Sequence, residues 1–150
     1  MNMLFDEPFH GAKLALFIGD DLAVILRDDR ADIPWADCWD LPGGGREGDE
    51  TPIECALRET HEELGLRVDP DAIVWGKRFG DDCDAKWFFA VHLPADIAAE
   101  IQLGDEGQRW ALMGAAEYLE HPKTITHLGD RLRVYLNGEN GDYTRKTPAP

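Results

Sequence analysis

An α/β fold, a sheet with helices on both faces, is what this sequence predicts. Three observations support it: paired apolar runs near the start, a sharply punctuated helix in the middle, and aromatic-rich runs followed by a second segment of helical period. At 150 residues the chain suits a single domain, 1–150. A domain of that size buries roughly 70% of the surface its unfolded form exposes.

From Gly11, GAKLALFIGDDLAVILRDD carries apolar runs at Ala12–Ile18 and Leu22–Leu26, separated by Gly19-Asp20-Asp21, which is a hairpin signal. Asp29 to Asp40, with Pro34 and no period, is expected to be an exposed loop, and LPGGGREGDE to continue it as a glycine-rich loop. The next element is a helix over Pro52–Leu64. Thr51 suits its cap, Pro52 its first position, Glu54 completes a capping box and Gly65 suits its end. Ile53, Ala56, Leu57, Thr60 and Leu64 form a stripe that faces the sheet. Glu59, Glu62 and Glu63 form the adjacent stripe, at the edge of the buried face.

Beyond the helix, Ala72–Phe79 and Ala85–Leu93 read as strands with a turn at Gly80–Asp84. Asp96–Ile101 is ambiguous, a short helix being one reading. Arg109–Met113 reads as a short strand and Ala115–Leu119 as a helical turn. Thr124–Leu136 has Ile125, Leu128, Leu132 and Leu136 at helical spacing and is expected to be a second long helix. Residues 136–150, rich in Gly, Asn, Thr and Pro, are expected to fray.

A net charge of −15 argues against long nucleic acid or an anionic membrane as partner, since both demand a basic footprint. No segment approaches the roughly 20 apolar residues of a membrane span, and MNMLFDEPFHG lacks the basic and apolar regions of a signal peptide. Cys38, Cys55 and Cys83 form no CxxC pair, which suits free thiols in a reducing cytoplasm. The expectation is an acidic cytoplasmic enzyme. A small phosphorylated substrate is compatible with that charge if divalent cations stand between carboxylates and phosphates.

Like-charged pairs such as those among Glu59, Glu62 and Glu63 cost an isolated helix roughly 0.2–0.5 kcal/mol each. Three glutamates at this spacing are ordinarily a solvated acidic face. Beside a glycine-rich loop, however, they also supply the oxygen ligands that Mg²⁺ or Mn²⁺ prefers, and a bound dication would turn their repulsion into attraction.

The residues upstream decide between these readings. GGREGDETPIECALRETHEELGL, Gly44 to Leu66, resembles the Nudix box: a glycine, five residues, a glutamate, seven residues, Arg-Glu, an aliphatic residue, any residue, Glu-Glu, any residue, a glycine and an aliphatic. Gly44, Glu50, Arg58, Glu59, Glu62, Glu63, Gly65 and Leu66 meet the pattern; Thr60 departs from it at an aliphatic position. Trp39 and Leu41-Pro42-Gly43 also look like the family's approach to the box.

The resemblance implies the Nudix α/β/α sandwich with a mixed sheet, and metal-dependent hydrolysis of a nucleoside diphosphate linked to another group. It implies Glu62 and Glu63 as principal metal ligands, Glu59 as a further ligand or the general base, and the Gly43 carbonyl as an additional ligand. Arg58 would orient a glutamate, Glu50 would brace the loop-helix geometry or reach a metal through water, Gly44 would approach substrate and Gly65 would end the helix. Homodimers are common in the family, so self-association through the sheet or the terminal helix is compatible with the resemblance.

Outside the box, Glu106 in DEGQRWALM looks like the distant carboxylate of the mutator-type subgroup, as a metal ligand or base, and Arg27 like that subgroup's phosphate-binding arginine. Solvated side chains are the plain alternative for both. Trp35, Trp39, Phe79 or Trp87 could stack a base, although buried aromatics are commoner; His61 is expected to face solvent and His92 to be structural. The substrate favoured is a nucleoside triphosphate, cleaved to a monophosphate and pyrophosphate. A nucleotide sugar, a dinucleoside polyphosphate, or a Nudix-fold sensor that binds without turnover are the alternatives.

Overall fold

Gly19 takes φ 62°, which lets the chain reverse tightly between β1 (Gly11–Ile18) and β2 (Asp21–Leu26), the expected hairpin. The computed structural model describes residues 5–145. After β2 come β3 (Trp39–Asp40), β4 (Gly43–Gly45), α1 (Pro52–Leu64), β5 (Ile73–Phe79), β6 (Lys86–Leu93), β7 (Arg109–Gly114), α2 (Ala115–Glu120), α3 (Thr126–Leu136) and β8 (Tyr143–Thr144). Asp96–Ile101 is part of a tight 3₁₀ segment, Ala95–Glu100.

The sheet runs β3-β2-β1-β6-β5-β8, with β4 also pairing β1 and β7 also pairing β2. It is mixed, because β1 and β6 run parallel while the other pairs run antiparallel. Alternation along each strand divides the apolar residues into two layers. Leu14, Leu16, Trp87 and Phe89 pack with Ile53, Ala56 and Leu64 of α1, while Phe17, Val24 and Phe88 pack with Tyr118 of α2 and Leu128 and Leu132 of α3. Helices therefore cover both faces, as the α/β expectation requires.

The α1 punctuation holds in detail. Thr51 Oγ1 accepts from the Glu54 N–H, Glu54 accepts from the Thr51 N–H, and Gly65 caps the end at φ 71°. Thr60, in the aliphatic position, is buried and donates to the Ala56 carbonyl at 2.8 Å, so its hydroxyl is satisfied inside the helix.

Some expectations are corrected. The Asp29–Asp40 stretch is not exposed throughout: Trp39 and Asp40 are buried as β3, where the Trp39 carbonyl accepts from Tyr118 Oη at 3.0 Å. The glycine run does not stay a loop, since Gly43–Gly45 pairs with β1. The last helix starts at Thr126, with Ile125 as its extended cap. The expected frayed tail is structured as far as it is described. Trp75 Nε1 donates to the Glu139 carbonyl at 3.0 Å, the Asp142 N–H donates to the Gly76 carbonyl at 2.8 Å, and β8 pairs with β5. The part of that expectation covering 146–150 lies outside the described residues. Among the described residues no helix is long and apolar enough to cross a membrane.

Candidate active site

Two features position the site: α1 packs across β1 and β6, and β4 brings its glycines against the acidic stripe of that helix. A Cβ added to Gly44 would lie 2.7 Å from the Glu59 carboxyl carbon, so any side chain there would have to displace that carboxylate. Gly43 takes φ 133°, a conformation that L side chains rarely adopt. Its N–H donates to Glu63 Oε1 at 2.8 Å, and its carbonyl accepts from Lys13 Nζ at 3.0 Å.

Arg58 organises the acidic stripe. Its guanidinium donates to Glu50 Oε2 at 2.6 Å, Glu59 Oε1 at 3.1 Å, Glu62 Oε2 at 3.1 Å and the Gly45 carbonyl at 2.8 Å. The planar fork allows several of these bonds at once, which an ammonium could not do. Through the 2.6 Å bond Glu50, on the loop, is tied to Arg58 on the helix.

Glu47, Glu59, Glu62, Glu63, Asp105 and Glu106 line a cleft of about 490 Å³. The fold thus brings Glu106 opposite the α1 glutamates, across 43 residues of sequence from Glu63. The loop that carries it is held close by the Gly104 N–H, which donates to the Glu63 carbonyl at 2.9 Å. A side chain at Gly104 would run into the Glu62 carbonyl. Arg27 stands in an adjoining cavity of about 150 Å³ that also touches Glu63 and Glu106. There it donates to Asp40 Oδ2 at 3.1 Å and to the Pro34 carbonyl at 3.0 Å.

Burial shapes the charges. The Glu63 carboxyl is pushed up to about 7 by desolvation, against the pull of Lys13 and the Gly43 N–H toward ionisation. Glu59 is also raised, again chiefly by burial, although Arg58 bonds to it. Glu50 is lowered, chiefly by its hydrogen bond from Arg58. Two of the α1 carboxylates therefore resist ionising, and a dication would relieve that strain by replacing the proton.

The donor set is oxygen-rich and acidic, which suits a hard dication such as Mg²⁺ or Mn²⁺. Among the described residues, however, no group of three His, Cys, Asp or Glu side chains is arranged to hold an ion as it stands. Arg58 engages Glu59 and Glu62, and Gly43 engages Glu63. Rotation of these side chains within the cleft is what would bring them onto one ion.

Sequence reasoning missed Lys13, Asp40 and Asp105. Lys13 Nζ pairs with Asp40 Oδ1 at 3.0 Å, so that Lys13, Asp40 and Arg27 form a charged chain beside Glu63. The available signal was a lysine inside the apolar run of β1 and an aspartate preceding LPGGG. Of the aromatic candidates, Trp39 and Trp87 belong to the core, while Trp35 is 44% exposed. His61 is half-buried and lines an open groove beside Leu57, Arg58 and Arg67. His92 stacks on Phe17 at 4.5 Å and bonds Tyr135 Oη at 2.7 Å, a structural setting as expected.

A family model described as NUDIX domain matches residues 8–131. Over 104 residues the chain is 34% identical to an RNA pyrophosphohydrolase of Gluconobacter oxydans (strain 621H), covering 67% of this chain and 54% of that protein. Over 59 residues it is 39% identical to an RNA pyrophosphohydrolase of Pseudomonas putida (strain GB-1), covering 36% of this chain and 37% of that one. The chain thus spans about half the length, or less, of these curated relatives. Among solved structures it resembles a MutT protein from Methanosarcina mazei Go1, with TM-score 0.65 and 20% identity over 89% of this chain and 96% of that one. It also resembles a bifunctional NMN adenylyltransferase/ADP ribose pyrophosphatase from Francisella tularensis, complexed with AMP and a Mn ion. There the TM-score is 0.67 and the identity 18%, over 87% of this chain and 42% of that one. Likeness at such identities speaks for the fold alone.

Proposed function

The chain belongs to the NUDIX domain family, and on that premise we propose that it is a divalent-metal-dependent pyrophosphohydrolase that cleaves a diphosphate linkage in a nucleoside diphosphate derivative. The favoured substrate is a nucleoside triphosphate, hydrolysed to a nucleoside monophosphate and pyrophosphate. The observation that carries this reading is the cleft in which Glu106 faces Glu59, Glu62 and Glu63.

In this reading Glu59, Glu62, Glu63 and Glu106 would hold Mg²⁺ or Mn²⁺, and the Gly43 carbonyl, which accepts from Lys13, would be a further ligand. The bound ion would acidify a water and neutralise charge on the leaving phosphate. Glu59 or Glu106 takes the proton from the attacking water. Arg58 keeps Glu59 and Glu62 oriented, Arg27 contributes positive charge to the phosphate side of the cleft, and Gly44, whose missing side chain leaves room for the Glu59 carboxylate, approaches the substrate through its backbone.

A second reading is favoured by the name of the curated relatives: removal of pyrophosphate from a 5′-triphosphorylated RNA end. The net charge of −15 supports the small nucleotide over the long polymer. The deciding experiment incubates the protein, with Mg²⁺ or Mn²⁺, against nucleoside triphosphates, nucleotide sugars, dinucleoside polyphosphates and a 5′-triphosphorylated oligoribonucleotide, and identifies the products. Turnover of nucleoside triphosphates to monophosphate and pyrophosphate is expected, with Glu62→Gln lowering it about 100-fold. No phosphate-containing product from any substrate would leave a sensor that binds without turnover. Unchanged turnover in Glu62→Gln would remove the assignment of that residue.

A further inference from the structure

The chain carries 30 acidic against 15 basic residues, yet one cavity has no carboxylate in its wall. His10, Lys13, Lys86, His127 and Arg131, together with the Gly44–Gly45 backbone, enclose about 180 Å³ between the sheet and α3. Strand alternation explains the gathering. Ala12 of β1 and Trp87 of β6 point into the α1 layer, so their neighbours Lys13 and Lys86 point to the other face, where α3 lies. Gly44 divides the two regions: a Cβ there would meet Glu59, while its backbone lines this cavity. The cationic cavity is thus one strand away from the acidic cleft.

Lys13 is paired with Asp40, but the other two cations, Lys86 and Arg131, lack protein counter-charges among the described residues. Arg131 is half-buried and, among the described residues, makes no hydrogen bond or ion pair; its guanidinium lies 5.1 Å from the centre of the Phe79 ring. Lys86 likewise has no ion pair among the described residues. The acidic groups nearby are Asp40, which is buried and pairs with Lys13, Asp130, beside Arg131 in the chain, and Asp81, Asp82 and Asp84 on the β5–β6 turn; none lines the cavity, and all but Asp40 are exposed. His127 shares the cavity wall with Arg131 and Lys86, and it is held below the ordinary histidine value first by burial and then by those two cations, against an opposing pull from Asp40. Half-buried cations without partners are costly, and an anion satisfies them.

We propose that this cavity, on the side of β4 opposite Glu59, binds an anionic group of the substrate, a phosphate or a carboxylate. Its volume lies below the roughly 300–1,000 Å³ of a whole small-molecule site, so it takes one group rather than a nucleoside. The substrate part of the proposal rests on the pyrophosphohydrolase reading and narrows it to substrates that carry an anion beyond the diphosphate being cleaved. The binding part stands without that reading.

Inorganic phosphate is the probe. Titrated into the metal-free protein, it is expected to shift the imidazole resonances of His127 saturably, and Arg131→Gln and Lys86→Gln are each expected to weaken binding about tenfold. Thermal unfolding of both variants checks that they fold. Because Lys86 is half-buried at the start of β6, its variant decides the matter if loss of Arg131 unfolds the chain. No saturable shift, or equal affinity in folded variants, overturns the site. In turnover assays with any substrate the panel yields, phosphate is expected to inhibit competitively, and more weakly in Arg131→Gln. Non-competitive inhibition would mean that the cavity takes free phosphate and would overturn the substrate assignment. If nothing is turned over, the His127 titration still decides whether the cavity binds anions.

Discussion

Glu63 Oε1 and the Gly43 N–H are joined by a 2.8 Å hydrogen bond, so the acidic helix and the glycine strand meet at one carboxylate. That carboxylate is mostly buried, and its protonation is therefore linked to folding.

Glu63 rises from 4.5 to about 7 on folding. Between those values the folded chain holds a proton that the unfolded chain has released, so stability falls as pH rises through this window. Metal-free protein is expected to lose up to about 3 kcal/mol between pH 4.5 and 7 from this group. Glu63→Gln should flatten that part of the profile, measured as melting temperature against pH. Identical slopes for both proteins would show that Glu63 ionises normally.

Arg58 bridges Glu50, Glu59 and Glu62, and its side chain is 22% exposed. Arg58→Lys keeps the charge but loses the fork, and is expected to cost about 2 kcal/mol in urea unfolding. A cost near zero would mean that the network contributes no more than surface ion pairs do.

Gly44→Ala places a methyl group against the Glu59 carboxylate. Displacing that carboxylate is expected to lower kcat at least about tenfold while Mg²⁺ still binds, since one misplaced group costs this much or more. Gly114→Ala, where the nearest atom to an added Cβ is Asp21 Oδ1 at 3.8 Å, should leave turnover unchanged. Equal activity in the two variants would show that Glu59 is free to move aside.

Glu106→Gln removes one negative charge from the wall opposite α1 without changing its shape. A fall of about 100-fold in kcat is expected if Glu106 takes the water's proton, with little change in melting temperature. A rise in the Mg²⁺ concentration needed, with kcat restored at saturation, would assign it to the metal instead.

Local chemistry was legible in the sequence because its causes are local. Thr51, Pro52, Glu54 and Gly65 specify where α1 begins and ends through hydrogen bonds and dihedral preferences that span a few residues. The spacing of Ile53, Ala56, Thr60 and Leu64 likewise specifies the buried face, and the acidic stripe follows from it. Trp39 and Asp40 were misread because their burial comes from pairing with β2 and from Tyr118, 79 residues away. The part of the tail up to residue 145 was misread for a similar reason: a run of polar and small residues pairs there with the edge that β5 offers.

By itself the sequence determined the α/β class, the helix Pro52–Leu64 and the crowding of Glu59, Glu62 and Glu63, since each follows from residue spacing along one element. Only the tertiary structure decided what faces that crowding. Strand pairing and loop packing set Glu106 across the cleft, threaded Lys13 to Asp40 and Gly43, and gathered Lys86, His127 and Arg131 behind β4. Those residues are far apart in sequence, and no period or spacing encodes the pairing of β1 with β6 that brings Lys13 and Lys86 to one face.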